Sequence, residues 1–232
     1  WATSSLTPDI AIELFEDKEL RKKLHPMDLR PQAHDIITFW LFNTLVKSYF
    51  HHDSIPWHNT MISGWALDPH GKKMSKSKGN VVDPKEMIGK YSADALRFWA
   101  AGSRLGDDLP FQEKDLKTGI KFTTKIWNAS KFSYMHLEKF DGKAPKTLEL
   151  MDAWMLTKLS KLTVFATESF DKYEYSHAKL ETEKFFFQVF CDNYLELIKD
   201  RIYNPDKRGE GAQRSAQFGV YTALNTVLKL MA

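Results

Sequence analysis

The sequence predicts an α/β unit followed by an all-α unit, so that the protein is mostly helical overall. Strand and helix signals alternate in the first half, whereas the second half shows helical periodicity only. A stretch rich in glycine, aspartate and proline, at residues 102–112, lies between the two halves and marks a boundary. Short connections between the second-half helices favour antiparallel neighbours, which predicts a helical bundle.

The first half has the pattern of a strand, a helix and a second strand. Residues 29–32 favour a short strand, and residues 35–48 follow with a helical pattern of apolar side chains. Residues 60–67 are expected to form a buried strand that ends in a turn at residues 68–71. This order predicts one βα unit of a parallel sheet.

Capping residues then predict where the helices begin. Asp83 can cap a helix, Pro84 suits its first position, and Glu86 completes a pattern like a capping box. A second start is expected at Ser92, and Gly102 suits the end of that helix. Four long helices are expected beyond the boundary, at about 114–138, 150–171, 176–203 and 212–231.

Composition narrows the class of protein. The 232 residues carry a formal net charge of +3, too small an excess to argue for nucleic acid by itself. Cys191 is the only cysteine, which excludes disulfides and thiolate metal clusters and fits a reducing cytosolic setting. The eight histidines show no metal-ligand spacing, and no apolar run approaches the ~20 residues of a membrane span. The chain starts without methionine and stops inside an apolar-periodic segment, so we expect a piece of a longer protein.

A cluster of cations marks residues 71–80, GKKMSKSKGN. Four lysines lie there among two serines, between Gly71 and Gly79. Mobile ammonium groups, hydroxyls and exposed backbone N–H groups suit the oxygens of a polyphosphate. The loop also follows a predicted strand, and α/β sheets bind ligands beyond the carboxyl ends of strands. On charge alone, a solvated basic loop or a localisation signal is an equal alternative.

The order of residues in this loop favours the phosphate site. Residues 73–77 spell KMSKS, and the chain resembles the class I aminoacyl-tRNA synthetases, which carry this signature. Over its whole length it resembles the valyl-tRNA synthetases, most like the archaeal type. Further motifs fall in the family's order, namely WATSS at 1–5, LRPQAHDII at 29–37, SG at 63–64, KYSADALR at 90–97, WNAS at 127–130 and CDNYLE at 191–196.

The resemblance implies a division of the chain into parts. Residues 1–88 are expected to be the second half of a class I catalytic domain of Rossmann type, with the KMSKS loop. Residues 89–112 are expected to form a helical junction in the stem-contact region, and residues 113–232 an anticodon-binding helical bundle truncated at its C-terminus. The HIGH signature of the family does not occur in these residues, and the editing domain of relatives lies upstream of Trp1. We therefore expect the chain alone to be inactive.

The resemblance also implies a reaction. The family activates an amino acid with ATP, accompanied by Mg²⁺, releases pyrophosphate and esterifies a tRNA; here this predicts valine and tRNA(Val). Lys73 and Lys76 are expected to stabilise the departing pyrophosphate, with Lys76 in direct contact. Asp35 is expected to bind the ribose hydroxyls of ATP, with a helix N-cap as its alternative role. Ala33 replaces the glycine usual in relatives, which puts the local geometry in question. The other residues expected at ATP are His34, Gly64, Met74, Ser75 and Ser77.

Two further sets of residues follow from the resemblance. Trp1 and Trp40 are expected to wall the pocket for the amino-acid side chain, with ordinary core packing as the alternative. In the bundle, one helical face is expected to contact tRNA phosphates, with a solvated helix face as the alternative. That face comprises Lys114, Lys117, Lys121 and Lys125, with Lys131 further on. Aromatic side chains could stack on unpaired bases, but the sequence does not tell which of them are exposed.

Alternatives to the valine enzyme stay open. The isoleucine and leucine enzymes are close relatives, although residues 1–5 favour valine because the isoleucine enzyme usually ends that motif in aspartate-serine-glycine. A non-catalytic RNA-binding module built from synthetase parts is an alternative of another class. We expect a monomeric, cytoplasmic protein with no membrane segment and no resident metal.

Overall fold

The computed structural model describes residues 1–138 and 140–232, which form two compact units. The N-terminal unit comprises residues 1–81 and 104–111, and the helical unit comprises residues 82–103 and 112–232. No helix among the described residues is long and apolar enough to cross a membrane. A small parallel sheet in an otherwise mostly helical chain confirms the predicted fold class.

The N-terminal unit carries three helices and four strands within the described part of the chain. They are α1 (Thr7–Glu13), α2 (Lys18–Lys23), β1 (Met27–Ala33), α3 (Phe42–His52), β2 (Trp57–Ser63), β3 (Ala66–Leu67) and β4 (Leu109–Pro110). A 3-10 turn at His34–Ile36 and a π-helical turn at Ile37–Leu41 connect β1 to α3. The predicted helix at 35–48 is therefore confirmed, and it extends to His52.

The two longer strands form a parallel pair. Leu29 lies opposite Asn59, and Gln32 lies opposite Ile62. Because α3 connects these strands, the predicted strand–helix–strand unit is confirmed. The short strands β3 and β4 pair in parallel with each other.

The predicted strand at residues 60–67 is wrong in its length and its burial. β2 ends at Ser63, a separate strand begins at Ala66, and residues 60–63 are only partly buried. Gly64 lies at the break, where a Cβ atom would be 2.2 Å from the carbonyl oxygen of Asp107. The backbone of residues 104–111 approaches so closely that only glycine fits at this position.

The helical unit contains eight helices among the residues that the structure describes. They are α4 (Pro84–Lys90), α5 (Ala93–Ala100), α6 (Glu113–Leu137), α7 (Leu150–Asp171), α8 (Tyr175–Lys184), α9 (Leu195–Tyr203), α10 (Pro205–Arg208) and α11 (Glu210–Met231). The predicted starts are confirmed, since the Asp83 side chain accepts a hydrogen bond from the Lys85 N–H at 2.8 Å and the Ser92 side chain accepts one from Ala95 at 3.1 Å.

The four long helices are also confirmed, with one local difference. The third is built from α8, a π-helical segment at Phe185–Tyr194, and α9. This segment fills the core of the bundle with Phe186, Phe190 and Tyr194. Phe185 is also buried there, whereas Phe187 is only partly buried.

A buried polar network ties three of these helices together. The Asp152 carboxylate of α7 is fully buried and accepts hydrogen bonds from the Tyr194 hydroxyl at 2.8 Å and from both terminal nitrogens of Arg201 at 2.7 and 2.8 Å. The Ser215 hydroxyl of α11 donates to the same carboxylate. Burial, with the nearby Asp152 charge, raises the pKa of the Tyr194 hydroxyl, and the hydrogen bond to Asp152 raises the pKa of Arg201. The network therefore holds a neutral tyrosine and a charged pair inside the bundle.

Candidate functional site

The lysine loop (residues 71–80) follows β3 and has a defined backbone conformation. Gly71 and Gly79 have φ angles of +74° and +66°, which side-chain-bearing residues rarely adopt. Lys76–Lys78 form a 3-10 turn between them. The four lysines are exposed, and among the described residues only Lys73 has an ion-pair partner. The loop thus presents its other ammonium groups to solvent.

Lys73, the first lysine of the KMSKS signature, lies against Asp35. Its Nζ atom is 3.3 Å from Asp35 Oδ2 and 3.9 Å from the centroid of the Trp65 ring. The two predicted ATP ligands are therefore in contact, although 38 positions separate them in the sequence. An ammonium held between a carboxylate and an aromatic face is stabilised by both groups.

Asp35 lies just beyond the carboxyl end of β1. It is the middle residue of a 3-10 turn and its side chain caps no helix, so its alternative role as an N-cap is wrong. Desolvation acts to raise the pKa of this carboxyl group, but the hydrogen bond and charge of Lys73 outweigh it and hold the pKa below its usual value. The Trp65 indole N–H lowers the pKa further, although it does not reach hydrogen-bonding geometry. Ala33 has extended backbone angles, which alanine adopts without strain.

Trp65 is the residue that sequence reasoning missed at this site. Its ring packs on the His34 ring at 4.6 Å between centroids, and its backbone N–H donates to Asp108 Oδ1 at 2.7 Å. His34 Nε2 lies 3.6 Å from the same carboxylate atom. The position of Trp65 directly after Gly64 does not indicate that it belongs to this site, because its contacts are with residues that are distant in the sequence.

The other residues predicted at ATP lie in or beside the loop. The Ser75 and Ser77 hydroxyls are hydrogen-bonded to each other at 2.7 Å, and Met74 is partly buried. Gly64 lies against Asp107, as described above, so packing already requires a glycine there.

The two tryptophans predicted to wall the amino-acid pocket have different surroundings. Trp1 is 58% exposed and stacks on Phe39 at 5.6 Å between centroids. Trp40 is only 6% exposed, stacks on Trp57 at 5.6 Å, and donates its indole N–H to the Ser4 carbonyl at 2.7 Å. Trp40 thus packs in the core of the unit, whereas Trp1 offers an accessible aromatic face.

Two polar side chains on β1 lack partners beside this core. The Arg30 guanidinium lies 3.9 Å from the centroid of the Trp40 ring, and burial lowers its pKa. Gln32, two residues along the same strand face, is 7% exposed. Within the described residues, Arg30 Nε and both polar atoms of the Gln32 amide make no hydrogen bond. Buried polar atoms without hydrogen-bond partners lower the stability of the folded state, so these three atoms on one face of β1 are destabilising.

In the helical unit, the exposed surface of α6 combines cations and aromatic rings. All five predicted lysines are exposed, namely Lys114, Lys117, Lys121, Lys125 and Lys131. Trp127 is 72% exposed and Tyr134 is 76% exposed, and their spacing around Lys131 places the three on one side of the helix. Both rings are therefore accessible to a partner on the surface of α6. No group of three or more potential metal ligands occurs among the described residues.

Comparison with known families accounts for both parts of the chain. Residues 1–112 match the family model described as tRNA synthetases class I (I, L, M and V), and residues 152–232 match that of the anticodon-binding domain of tRNA ligases. The chain belongs to the class I aminoacyl-tRNA synthetases. The lysine loop carries the KMSKS sequence inside the first matched segment, and α6 lies between the two matched segments.

Curated relatives match the whole chain. It is 42% identical over 246 residues to a protein named valine–tRNA ligase from Rickettsia rickettsii, and 48% identical over 233 residues to one from Thermobifida fusca. The chain spans only 30% and 26% of the length of these relatives. The nearness to archaeal enzymes stays a prediction.

Solved synthetases share the fold. A leucyl-tRNA synthetase–tRNA complex from Agrobacterium radiobacter has a TM-score of 0.71 at 17% identity, and covers 93% of this chain and 27% of its own. A methionyl-tRNA synthetase from Mycobacterium tuberculosis has a TM-score of 0.73 at 19% identity, and covers 92% of this chain and 43% of its own.

Proposed function

We propose that this chain is the KMSKS-bearing part of a valine–tRNA ligase. In this reaction the carboxylate of valine attacks the α-phosphorus of ATP, and the bond to the leaving pyrophosphate breaks to give valyl-adenylate. A hydroxyl of the terminal ribose of tRNA(Val) then takes the valyl group, and AMP leaves. The observation that carries the proposal is the contact of Lys73 with Asp35 at the carboxyl end of β1, because it joins the two predicted ATP ligands at one place.

The residues of the loop suit the charge that develops in this step. Lys76 is exposed and has no ion-pair partner among the described residues, so its ammonium can meet the departing pyrophosphate. Lys73 can exchange the Asp35 carboxylate for a phosphate oxygen, which frees Asp35 for the two ribose hydroxyls. Mg²⁺ is expected to arrive with ATP. The described residues include no group of three or more potential ligands for it.

Valine as the substrate is supported by the names of the relatives and by the WATSS motif at residues 1–5. Trp1, which is accessible, and Trp40, which packs on Trp57 in the core of the unit, are the proposed pocket residues. The isoleucine and leucine enzymes remain the alternatives for the substrate.

The α6 face supports tRNA as the partner. Its lysines can neutralise backbone phosphates. Trp127 and Tyr134, which helical spacing places on another side of the same helix together with Lys131, can stack on unpaired bases. Binding through this face depends on salt, because each phosphate contact releases counterions. A monomeric state and a cytoplasmic location remain part of the proposal.

The first experiment is amino-acid-dependent ATP–pyrophosphate exchange with valine, isoleucine and leucine. We would measure it on this chain alone and on the full-length protein that carries it. Exchange with valine by the full-length protein only is the expected result. Exchange by this chain alone would contradict the proposal that it supplies part of a larger site, and exchange with isoleucine or leucine would change the substrate. A full-length protein silent with all three would favour a non-catalytic RNA-binding module.

Two variants of the full-length protein connect the exchange to the loop. Lys76→Ala is expected to lower kcat for exchange about 10²-fold, because it removes a cation that acts on the developing charge. Lys78→Ala is the matched control, since it removes a cation from the same turn that has no assigned contact. Equal effects of the two substitutions would contradict a specific role for Lys76.

A further inference from the structure

Two side chains hold the ends of the lysine loop together. Asp68 lies three residues before the lysine loop and is 3% exposed, and Asn80 is the last residue of the loop. The Asn80 Nδ2 atom donates to Asp68 Oδ2 at 2.8 Å. This bond closes the loop at its base, so that residues 69–79 lie between the two side chains.

The same two side chains also bind the backbone inside the loop. Asp68 Oδ1 accepts hydrogen bonds from the N–H groups of His70 at 2.9 Å and Lys72 at 2.8 Å. Asn80 Oδ1 accepts one from the Ser75 N–H at 2.9 Å, and Asn80 Nδ2 also donates to the Lys73 carbonyl at 3.2 Å. Four backbone positions of the loop are therefore held by one carboxylate and one amide.

Asp68 and Asn80 make no hydrogen bond to a lysine side chain of the loop. Each of these bonds joins Asp68 or Asn80 either to a backbone group or to the other of the two side chains, and none involves an ammonium group. The chemistry also requires this pair of residue types, because a carboxylate can only accept and a primary amide can donate and accept at once. Two carboxylates would repel each other here, and two amides would provide fewer acceptors for the three backbone N–H donors and the bridge.

We propose that Asp68 and Asn80 form a loop clasp, a pair of positioning residues that sets the conformation from which the KMSKS lysines act. This inference rests on the proposed function, since it assigns a role in amino-acid activation. The clasp residues do not touch the reacting atoms; they act through the backbone of residues 70–75. Removing the clasp lowers the fraction of loops that are correctly positioned, and so lowers the rate of the chemical step more than the binding of valine.

Limited trypsin digestion tests the clasp without any enzymatic activity. The four loop lysines are trypsin sites, and their cleavage rate follows the population of opened loops. In this chain, D68N is expected to raise cleavage within the loop about tenfold, because two N–H groups then face each other across the bridge. N80D is expected to do the same through carboxylate repulsion. The variant that carries both D68N and N80D restores the bridge with the donor reversed, and is expected to bring cleavage back toward the original rate.

D53N is the matched control. Asp53 is an exposed residue of the same unit, in a left-handed conformation that asparagine tolerates, so the charge change is equal and the loop is untouched. Circular dichroism melting verifies that each variant is folded. Should D68N unfold, N80A removes the same bridge from the less buried side.

The same variants of the full-length protein then test the role in activation. The single substitutions are expected to lower kcat for valine-dependent exchange about tenfold with little change in KM for valine, and the double substitution to recover part of the loss. Single variants that behave like D53N in both assays, or a double variant no better than the singles, would overturn the clasp. An original full-length protein without exchange would refute the proposed function instead, while the digestion result would still decide whether the two residues hold the loop.

Discussion

Lys73 Nζ lies 3.3 Å from Asp35 Oδ2, so the first lysine of the KMSKS loop is bound to the residue proposed for the ATP ribose. In this arrangement the ammonium group and the carboxylate group neutralise each other. Under the proposed function, ATP replaces this one contact with two, a phosphate on Lys73 and a ribose on Asp35. The ion pair compensates both charges in the chain without nucleotide.

This contact predicts the effect of changing Asp35 in the full-length protein. Asp35→Asn is expected to raise KM for ATP about 10-fold or more, because a charge-assisted hydrogen bond to the ribose is lost. Steady-state exchange at varied ATP measures it. Asp28→Asn is the control, since Asp28 is an exposed residue at the start of the same strand. An unchanged KM for ATP would show that Asp35 does not contact the nucleotide.

The unpaired amide of Gln32 predicts a gain of stability in this chain. Gln32→Leu is expected to raise the free energy of unfolding by about 1 kcal/mol, because a buried donor and acceptor without partners are removed. Urea denaturation followed by circular dichroism measures it. Gln32→Glu keeps the shape but buries a charge, and is expected to destabilise the protein. A loss of stability in Gln32→Leu would mean that the amide does have a partner.

The exposed rings of α6 predict an effect on RNA binding without an effect on stability. Trp127→Ala is expected to weaken tRNA binding by about 1–3 kcal/mol, since base stacking on an aromatic ring contributes that much. Phe165→Ala, at a partly exposed ring on α7, is the control and is expected to bind normally. Filter binding with tRNA measures both.

The lysines on the same helix predict a different signature. Lys117→Ala is expected to reduce the slope of log affinity against log salt by about one, as for any single phosphate contact. Trp127→Ala leaves that slope unchanged. If Lys117→Ala and the original protein had the same slope of log affinity against log salt, Lys117 would be a solvent-exposed lysine that contacts no phosphate.

The buried carboxylate of Asp152 predicts a large stability effect. Asp152→Ala is expected to lower the free energy of unfolding by about 3–5 kcal/mol, because it leaves Arg201 charged, largely buried and unpaired. Replacing both members, Asp152→Leu with Arg201→Met, is expected to cost less than the single change. Urea titration of the three proteins gives the comparison, and an equal loss in both variants would contradict a coupled pair.

His136 predicts a dependence of stability on pH. Burial lowers the pKa of this imidazole, whose ring packs between Phe132 and Tyr203. The folded state binds the proton less readily than the unfolded state, so stability is complete above the unfolded pKa of about 6.5 and falls as pH decreases through the folded pKa. His136→Phe is expected to lose less stability than the original protein between pH 7.5 and 5.5. His177→Gln, at a partly exposed helix position, is the control.

The local features of this protein were predictable because they depend on neighbours in the sequence. The starts at Asp83 and Ser92 follow from capping chemistry, and the long helices from apolar spacing. The break at Gly64 was not predictable, because it is caused by the backbone of Asp107. The π-helical segment at Phe185–Tyr194 has no signature that separates it from an α-helix.

By itself, the sequence determined the fold class and the parallel βα unit, because these depend on the local periodicity of apolar residues. It also determined the lysine loop, because the order of its residues is a contiguous motif. Only the tertiary structure decided that Lys73 meets Asp35 and Trp65, that Asp68 and Asn80 close the loop, and which rings are exposed. The physical reason is that contacts and burial depend on segments brought together from distant positions, which no spacing within one segment encodes. Trp40 and Trp127 illustrate this: equal in kind, one is 6% exposed and the other 72%.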